Sequence, residues 1–353
     1  MSGREVVMAD PSGFCAGVES AVKSLAWLVA LNPPPVVCVH AVVHNEDVVT
    51  RFEALGVEFV ARPEDVPTGA AVLLSAHGSP PDVTQRAAHA HVVVDAACPL
   101  VSKVHRELRA RSEAGDTIIY VGHRGHDEAE GALAHVGTAA HVVERPSDVD
   151  ALPLGDDRPV ALLAQTTIAM SEWADIAERV RERFSSTWTP PRDDICFATT
   201  NRQTAGRALA HECEVVIVVG SATSSNTAAL VDSARSAGAA EVHRVSGVDD
   251  LPVVTADRIG IVAGASTPAV TIDAVVRAVG PASIRTLRAV DESEYFPLAP
   301  GVRRQIEAAI AAGVVSPALI AAYRDDRHVS ADALVALVER SSVLPYQHLA
   351  GLR

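Results

Sequence analysis

Three cysteines in this chain stand where a thiolate would be useful. Cys15, Cys98 and Cys196 each lie directly ahead of a helical pattern, in GFCAGVESAVKSLAWLV, CPLVSKVHRELRARS and CFATTNRQTAGRALAHE. A helix N-terminus favours negative charge, so a thiolate there is a ready nucleophile or metal ligand. The spacings of 83 and 98 residues are too long for a local zinc knuckle. They match the size of a small domain and point to an internal repeat.

More than the cysteine repeats. From cysteine to the end of the next apolar strand is 25 residues to His40, 25 to His123 and 24 to Gly220. From cysteine to a second strand tip is 62 residues to His77, 68 to Thr166 and 70 to Ser266. Each third therefore reads β-α-β-α-β, with strand runs too apolar for a sheet with one wet face. Such runs predict small parallel sheets covered by helices on both sides. Functional groups of open α/β sheets gather beyond the carboxyl ends of the strands, and there this chain places Cys, His, Ser, Thr, Asn and Gln. The expected domains are 1–96, 97–193 and 194–300, the last with a return strand, followed by a helical extension over 301–353. In the extension Ser330 is the expected N-cap of the last helix. Its apolar faces predict a helical cap on the core, with a dimer or partner contact as the alternative.

Three thiolates admit two metal readings. One is a catalytic zinc with an open fourth position; the other is three irons of a 4Fe-4S cluster, with the fourth iron open. Spacing does not choose, and the chain has no CxxC. His44, His77, His126, Ser224, Ser225, Asn226 and Ser266 are donors suited to an oxyanion, several of them at expected helix N-termini. The chain has only two lysines, Lys23 and Lys103, so a phosphate would be held by neutral donors and histidine. Glu128, in GHRGHDEAEG, is a candidate proton donor; Asp127 and Glu130 flank it, and spacing alone does not choose among the three. Cys38 and Cys213, in apolar strand patterns, read as buried small hydrophobes.

Bulk properties bound the partners. The 353 residues carry 44 acidic and 30 basic side chains, a formal charge of −14, which argues against nucleic acid. The opening MSGREVVMADPSG lacks the apolar core of a signal peptide, and no apolar run approaches membrane-spanning length. Five sparse cysteines do not make a disulfide framework. These features read as a cytoplasmic protein.

Nine stretches in order, GFCAGVESAV, VVHNEDVV, SAHGSPP, DAACPLVSKVH, VGHRGHDEAEG, AQTTIAMS, DICFATTNRQ, VVGSATSSNT and AGASTP, give the chain a family resemblance. It resembles the LytB/IspH family of 4-hydroxy-3-methylbut-2-enyl diphosphate reductases, which act in the methylerythritol phosphate route to isoprenoids. The resemblance implies three pseudo-equivalent α/β domains in a trefoil-like arrangement around a 4Fe-4S cluster, as a monomer. It implies Cys15, Cys98 and Cys196 as iron ligands, and thus selects cluster over zinc. It implies His44, His77, His126, Ser224, Ser225, Asn226 and Ser266 as the diphosphate donors, Glu128 as the proton source, and Thr166 as the group that positions the substrate hydroxyl and relays its proton. The reaction implied is two-electron removal of that hydroxyl as water, giving isopentenyl and dimethylallyl diphosphates. No GxGxxG fingerprint follows a strand, so the electrons would come from a ferredoxin or flavodoxin. The family usually has arginine at Ser12 and Ser20, threonine at Ala97 and proline at Asp127. These departures leave reduction of a related allylic diphosphate as the alternative. A zinc hydrolase or lyase on a phosphorylated small molecule, and a non-catalytic cluster protein, are the alternatives from other classes.

Overall fold

The computed structural model describes residues 4–87, 89–90, 92–191 and 194–341; the end of the expected extension, 342–353, lies outside them. The strands are β1 (Glu5–Asp10), β2 (Val36–Val39), β3 (Val57–Val60), β4 (Ala71–Leu74), β5 (Val92–Asp95), β6 (Thr117–Val121), β7 (Ala140–Val143), β8 (Val160–Ala164), β9 (Thr187–Trp188), β10 (Val215–Val219), β11 (Glu241–Val245), β12 (Arg258–Ala263) and β13 (Ser283–Arg288). They form three small sheets with orders β3-β2-β4-β5, β7-β6-β8-β9 and β11-β10-β12-β1-β13, parallel at every pairing.

In each sheet two strands of one third lie side by side at the centre: β2 with β4, β6 with β8, β10 with β12. Every residue of VVCV, AVLL, TIIYV, VALLA and VVIVV is buried. That double-sided burial is why these runs are continuously apolar rather than alternating. Strand order reverses between the two central strands, so each sheet has a switch point at their carboxyl ends.

The five-element reading of each third omits one strand. The edge strands β3, β7 and β11 carry VEFV, AHVV and EVHRV, largely half-exposed. They pair on one side only, so their sequences need no apolar run and give no strong signal. A second difference concerns β1. It lies within residues 1–96, yet it is hydrogen-bonded between β12 and β13. Cys213 also differs from its strand reading: it closes the helix ahead of β10.

The helices are α1 (Ala16–Leu31), α2 (Glu46–Ala54), α3 (Val83–Arg86), α4 (Pro99–Glu113), α5 (Asp127–Leu133), α6 (Pro146–Asp150), α7 (Met170–Arg183), α8 (Phe197–Glu212), α9 (Ser225–Ser236), α10 (Ala269–Val279), α11 (Pro300–Ala311), α12 (Pro317–Arg324) and α13 (Ala331–Arg340). The chain divides into two compact units. One comprises the N-terminus through Cys15 and Leu100–Ser293, with the β6 and β10 sheets; the other comprises Ala16–Pro99 and the chain from Glu294, with the β2 sheet.

In this second unit the extension folds back on α1. Trp27 meets the Tyr323 ring edge-on at 6.1 Å. Lys23 pairs with Glu19 and Asp326, and Arg51 of α2 holds Asp332 and Glu339 of α13. Ser330 caps α13 by accepting from Ala333 N, and the extension buries its apolar faces inside its own unit. Among the described residues, no helix is long and apolar enough to cross a membrane.

Candidate functional site

Each cysteine ends up just ahead of a helix, and each is pinned by the same backbone bond. Cys98 N–H donates to Ala76 O at 3.0 Å, Cys196 N–H to Thr166 O at 3.0 Å and Cys15 N–H to Ala265 O at 3.1 Å. The acceptors sit at the tips following β4, β8 and β12. The strand before each cysteine lies beside that tip strand: β5 beside β4, β9 beside β8, β1 beside β12. Pairing is therefore cyclic along the chain, which is why β1 belongs to the third sheet.

The first unit holds Cys15 and Cys196 together with Glu128, Thr166, His126, Ser224, Ser225, Asn226 and Ser266. Cys196 is the N-cap of α8; its sulfur accepts from Thr199 N at 3.3 Å and lies 3.1 Å from Thr199 Oγ1. Burial first, and the neighbouring Cys15 second, push the Cys196 thiol up to about 12. A buried thiol whose ionisation is opposed by burial and by a neighbouring cysteine is stabilised as a thiolate by a bound cation, and a thiolate-bound metal is such a cation. None of the five cysteines is in a disulfide. The donor set of this unit thus fits a metal centre.

A buried arginine fixes the Cys15 loop relative to α8. Arg202 is 1% exposed. It donates to Gly13 O at 2.7 and 3.0 Å, to Phe14 O at 3.3 Å and to Ala198 O at 3.0 Å, and it pairs with Glu292. Gly13 has φ +76°, and a Cβ there would come 2.9 Å from Ile272 Cδ1, so the turn that delivers Cys15 requires glycine.

Glu128 lies in the first turn of α5 and is buried. Its Oε1 accepts from Thr166 N at 2.7 Å and its Oε2 from the Thr166 hydroxyl at 3.1 Å. Burial raises its carboxyl to about 7, against the lowering effect of the two Thr166 bonds; Asp194 adds to the rise. Such a group is protonated and ionised in comparable amounts near neutrality, as a proton donor needs. His126 caps α5 by accepting from Glu128 N at Nδ1, 3.2 Å, which leaves the ring proton of the neutral form on Nε2. Flanking Asp127 sits at the helix N-terminus, where negative charge is favoured.

The tips of β10 and β12 build a donor-rich helix start. A Cβ on Gly220 would lie 2.5 Å, and on Gly264 2.3 Å, from Thr227 Oγ1. These two glycines let α9 drive its N-terminus between the strand tips. Ser224 caps it. Ser225 Oγ accepts from Gln165 Nε2 at 3.1 Å. Asn226 is a strut: its amide donates to Thr199 Oγ1 and accepts from Ala265 N, both at 3.0 Å. Gln165, Thr199 and Arg202 escaped the residue-by-residue reading of the sequence. Their only signal was polarity at a strand tip or beside a cysteine.

In the second unit, His44 and His77 stack with ring centroids 4.0 Å apart. His44 precedes Asn45, the N-cap of α2. His77 adjoins Ala76, the residue that anchors Cys98, so these three candidates come together. Both lysines serve ion pairs: Lys23 as above, and Lys103 with Asp194 and Glu107. Asp194 also accepts from Ala164 N at 3.0 Å, which ties the approach to Cys196 to the end of β8. Burial raises the Cys38 thiol, and Cys213 is pushed up to about 11.

The family model described as LytB protein matches residues 6–280. The chain belongs to the LytB family. Among curated relatives, 4-hydroxy-3-methylbut-2-enyl diphosphate reductase of Aromatoleum aromaticum is 40% identical over 304 residues, covering 84% of this chain and 97% of the relative. Reductase 2 of Mycobacterium tuberculosis is 41% identical over 277 residues, covering 77% and 83%. The solved structure of the corresponding diphosphate reductase from Plasmodium falciparum has a TM-score of 0.83 at 29% identity, covering 87% of this chain and 99% of that one.

Family membership gives the departures a structural context. Ser12 Oγ accepts from Ala263 N at 2.8 Å, Ser20 Oγ donates to Pro297 O at 2.9 Å, and Ala97 N donates to Asp95 Oδ1 at 2.9 Å. Each position is integrated into local structure.

Proposed function

We propose that this chain reduces 4-hydroxy-3-methylbut-2-enyl diphosphate to isopentenyl and dimethylallyl diphosphates, consuming two electrons and two protons and releasing water. Cys15, Cys98 and Cys196, one from each of three pseudo-equivalent domains, would hold a 4Fe-4S cluster. When bound, that cluster supplies a Lewis-acidic iron for the substrate hydroxyl and a path for electrons. The observation that carries the reading is the Glu128–Thr166 pair: a buried carboxyl raised to about 7, bonded to a hydroxyl, in the unit that holds Cys15 and the buried Cys196.

The chain's own groups divide the work. Glu128 delivers a proton to the departing hydroxyl, and Thr166 orients that hydroxyl while passing the proton on. Ser224, Ser225, Asn226 and Ser266 at the α9 start and the β12 tip, with His126, His44 and His77, hold the diphosphate by neutral or histidine donors. Anchoring the substrate away from the reacting carbon supplies binding energy and orientation to the chemical step. Electrons come from an external ferredoxin or flavodoxin, and the chain acts as a cytoplasmic monomer. The test is an anaerobic assay of the reconstituted protein with this substrate and a reduced viologen, alongside iron and sulfide analysis. Substrate-dependent dye oxidation by a protein containing iron and sulfide is expected. Zinc without sulfide, or a full cluster with no oxidation, would overturn the proposal.

A further inference from the structure

The residues that lead into the C-terminal extension cross the second unit from α1 to β5. Ser20, in the second turn of α1, donates to Pro297 O at 2.9 Å. Ser24, one turn on, accepts from Ala299 N at 3.3 Å. Gly301 then lies against Val94 of β5, where a Cβ would come 3.1 Å from Val94 Cγ2. Beyond it α11 buries Val302 and Ile306 completely.

β5 needs such support. It has four residues and sits at the sheet edge, paired among the described residues with β4 alone. Val94 is its one fully buried side chain. A short strand with a single ladder is marginal alone and is the kind of element that opens first. Cys98 follows three residues after it, and a backbone anchor of Cys98, its N–H bond to Ala76 O, holds only while β5 keeps its register on β4. We propose that residues 297–301 and α11 form a brace that presses β5 onto β4 and thereby positions Cys98. The brace lies beyond residues 6–280, the span of the family model. The inference rests on the reading of Cys98 as an iron ligand.

The test uses the full-length holoprotein, purified anaerobically and kept loaded with iron, with the initial rate of alkylation of each cysteine followed by mass spectrometry. In Gly301→Val the added methyls press on Val94. Cys98 is expected to label about tenfold faster, the scale of strain that overpacking a core site produces. Cys15 and Cys196 are expected to stay within about twofold of wild type, because their anchors lie in the other unit. Should Gly301→Val not fold, Gly301→Ala makes the same comparison with less strain. The control is Arg51→Ala, which frees α13 from α2 and lowers the Tm without touching Val94; it leaves Cys98 protected. Unchanged Cys98 labelling in the Gly301 variants, or an equal rise at all three cysteines, would overturn the brace. A wild-type protein that binds no iron would sink the ligand reading instead, and that result is separate from the comparison between variants.

Discussion

Replacing Glu128 by glutamine separates a proton donor from a structural cap. The carboxyl moves from its ordinary 4.5 to about 7 because it is buried. At about 1.4 kcal/mol for each tenfold change in proton affinity, that is about 3 kcal/mol favouring the protonated form in the folded protein. The sign follows from linkage. The folded state binds the proton more tightly than the unfolded state, so no stability is lost below 4.5. It is lost progressively as pH rises from there to about 7, and the loss levels off above. Glutamine keeps the shape and an acceptor for Thr166 N but carries no charge. Above neutrality the variant should therefore be more stable than wild type, by up to about 3 kcal/mol, and near pH 4.5 the two should converge. Turnover should move the other way and fall by about 10²–10⁴-fold, the usual worth of a general acid. The wild-type rate should decline about tenfold per pH step above about 7, and the variant's residual rate should lack that limb. Urea unfolding at several pH values and viologen oxidation measure the two quantities on the same preparations. A variant destabilised at alkaline pH would make Glu128 a structural cap for the Thr166 loop. One that keeps its alkaline limb and most of its turnover would remove it from catalysis.

Further perturbations isolate single contacts. Thr166→Val keeps the backbone bond to Glu128 and removes the hydroxyl, which lowers the carboxyl's proton affinity. The alkaline limb should shift upward while turnover falls about tenfold or more; an unmoved limb would count against the contact. Gly264→Ala places a methyl against Thr227 Oγ1, 2.3 Å away before relaxation, and pushes the α9 start from its place. KM for the diphosphate should rise about tenfold or more at unchanged iron content, and a drop in kcat alone would argue against α9 as the anchor. Cys196→Ser should leave a protein that cannot hold an intact cluster, read as iron and sulfide per chain; wild-type content would end its assignment as a ligand.

Much of this was legible in the sequence, for identifiable reasons. The central strands announced themselves because burial on both faces demands unbroken runs such as VVIVV. The polar tips were legible because functional groups of open α/β sheets gather beyond the carboxyl ends of the strands, so Cys, His, Ser, Thr, Asn and Gln there stand out from ordinary turn residues. The edge strands were not, since AHVV and EVHRV pair on one side and stay half-exposed. Gln165 and Arg202 were also missed: an isolated polar residue shows its value only once its partners are assembled. Gln165 gains its meaning from His123 N and Ser225 Oγ, which lie 42 and 60 residues away.

The cyclic pairing explains why the cysteines and the groups beside them come from consecutive thirds. A cysteine hangs on a strand whose neighbour is the tip strand of the preceding third, and its N–H is held by that tip. Cys196 is thus anchored to Thr166, which also holds Glu128, and Cys98 to the residue before His77. The positions of Cys196 and Glu128 are set by one hydrogen-bonded unit of backbone, so a register slip in β8 or β9 would displace both at once. The third instance closes through β1, which comes from the opposite end of the chain to its partners β12 and β13. A parallel pairing over that separation carries a large loop-closure cost and forms slowly. The Cys15 position is therefore expected to be completed late in folding, after the β10–β12 sheet exists to receive β1.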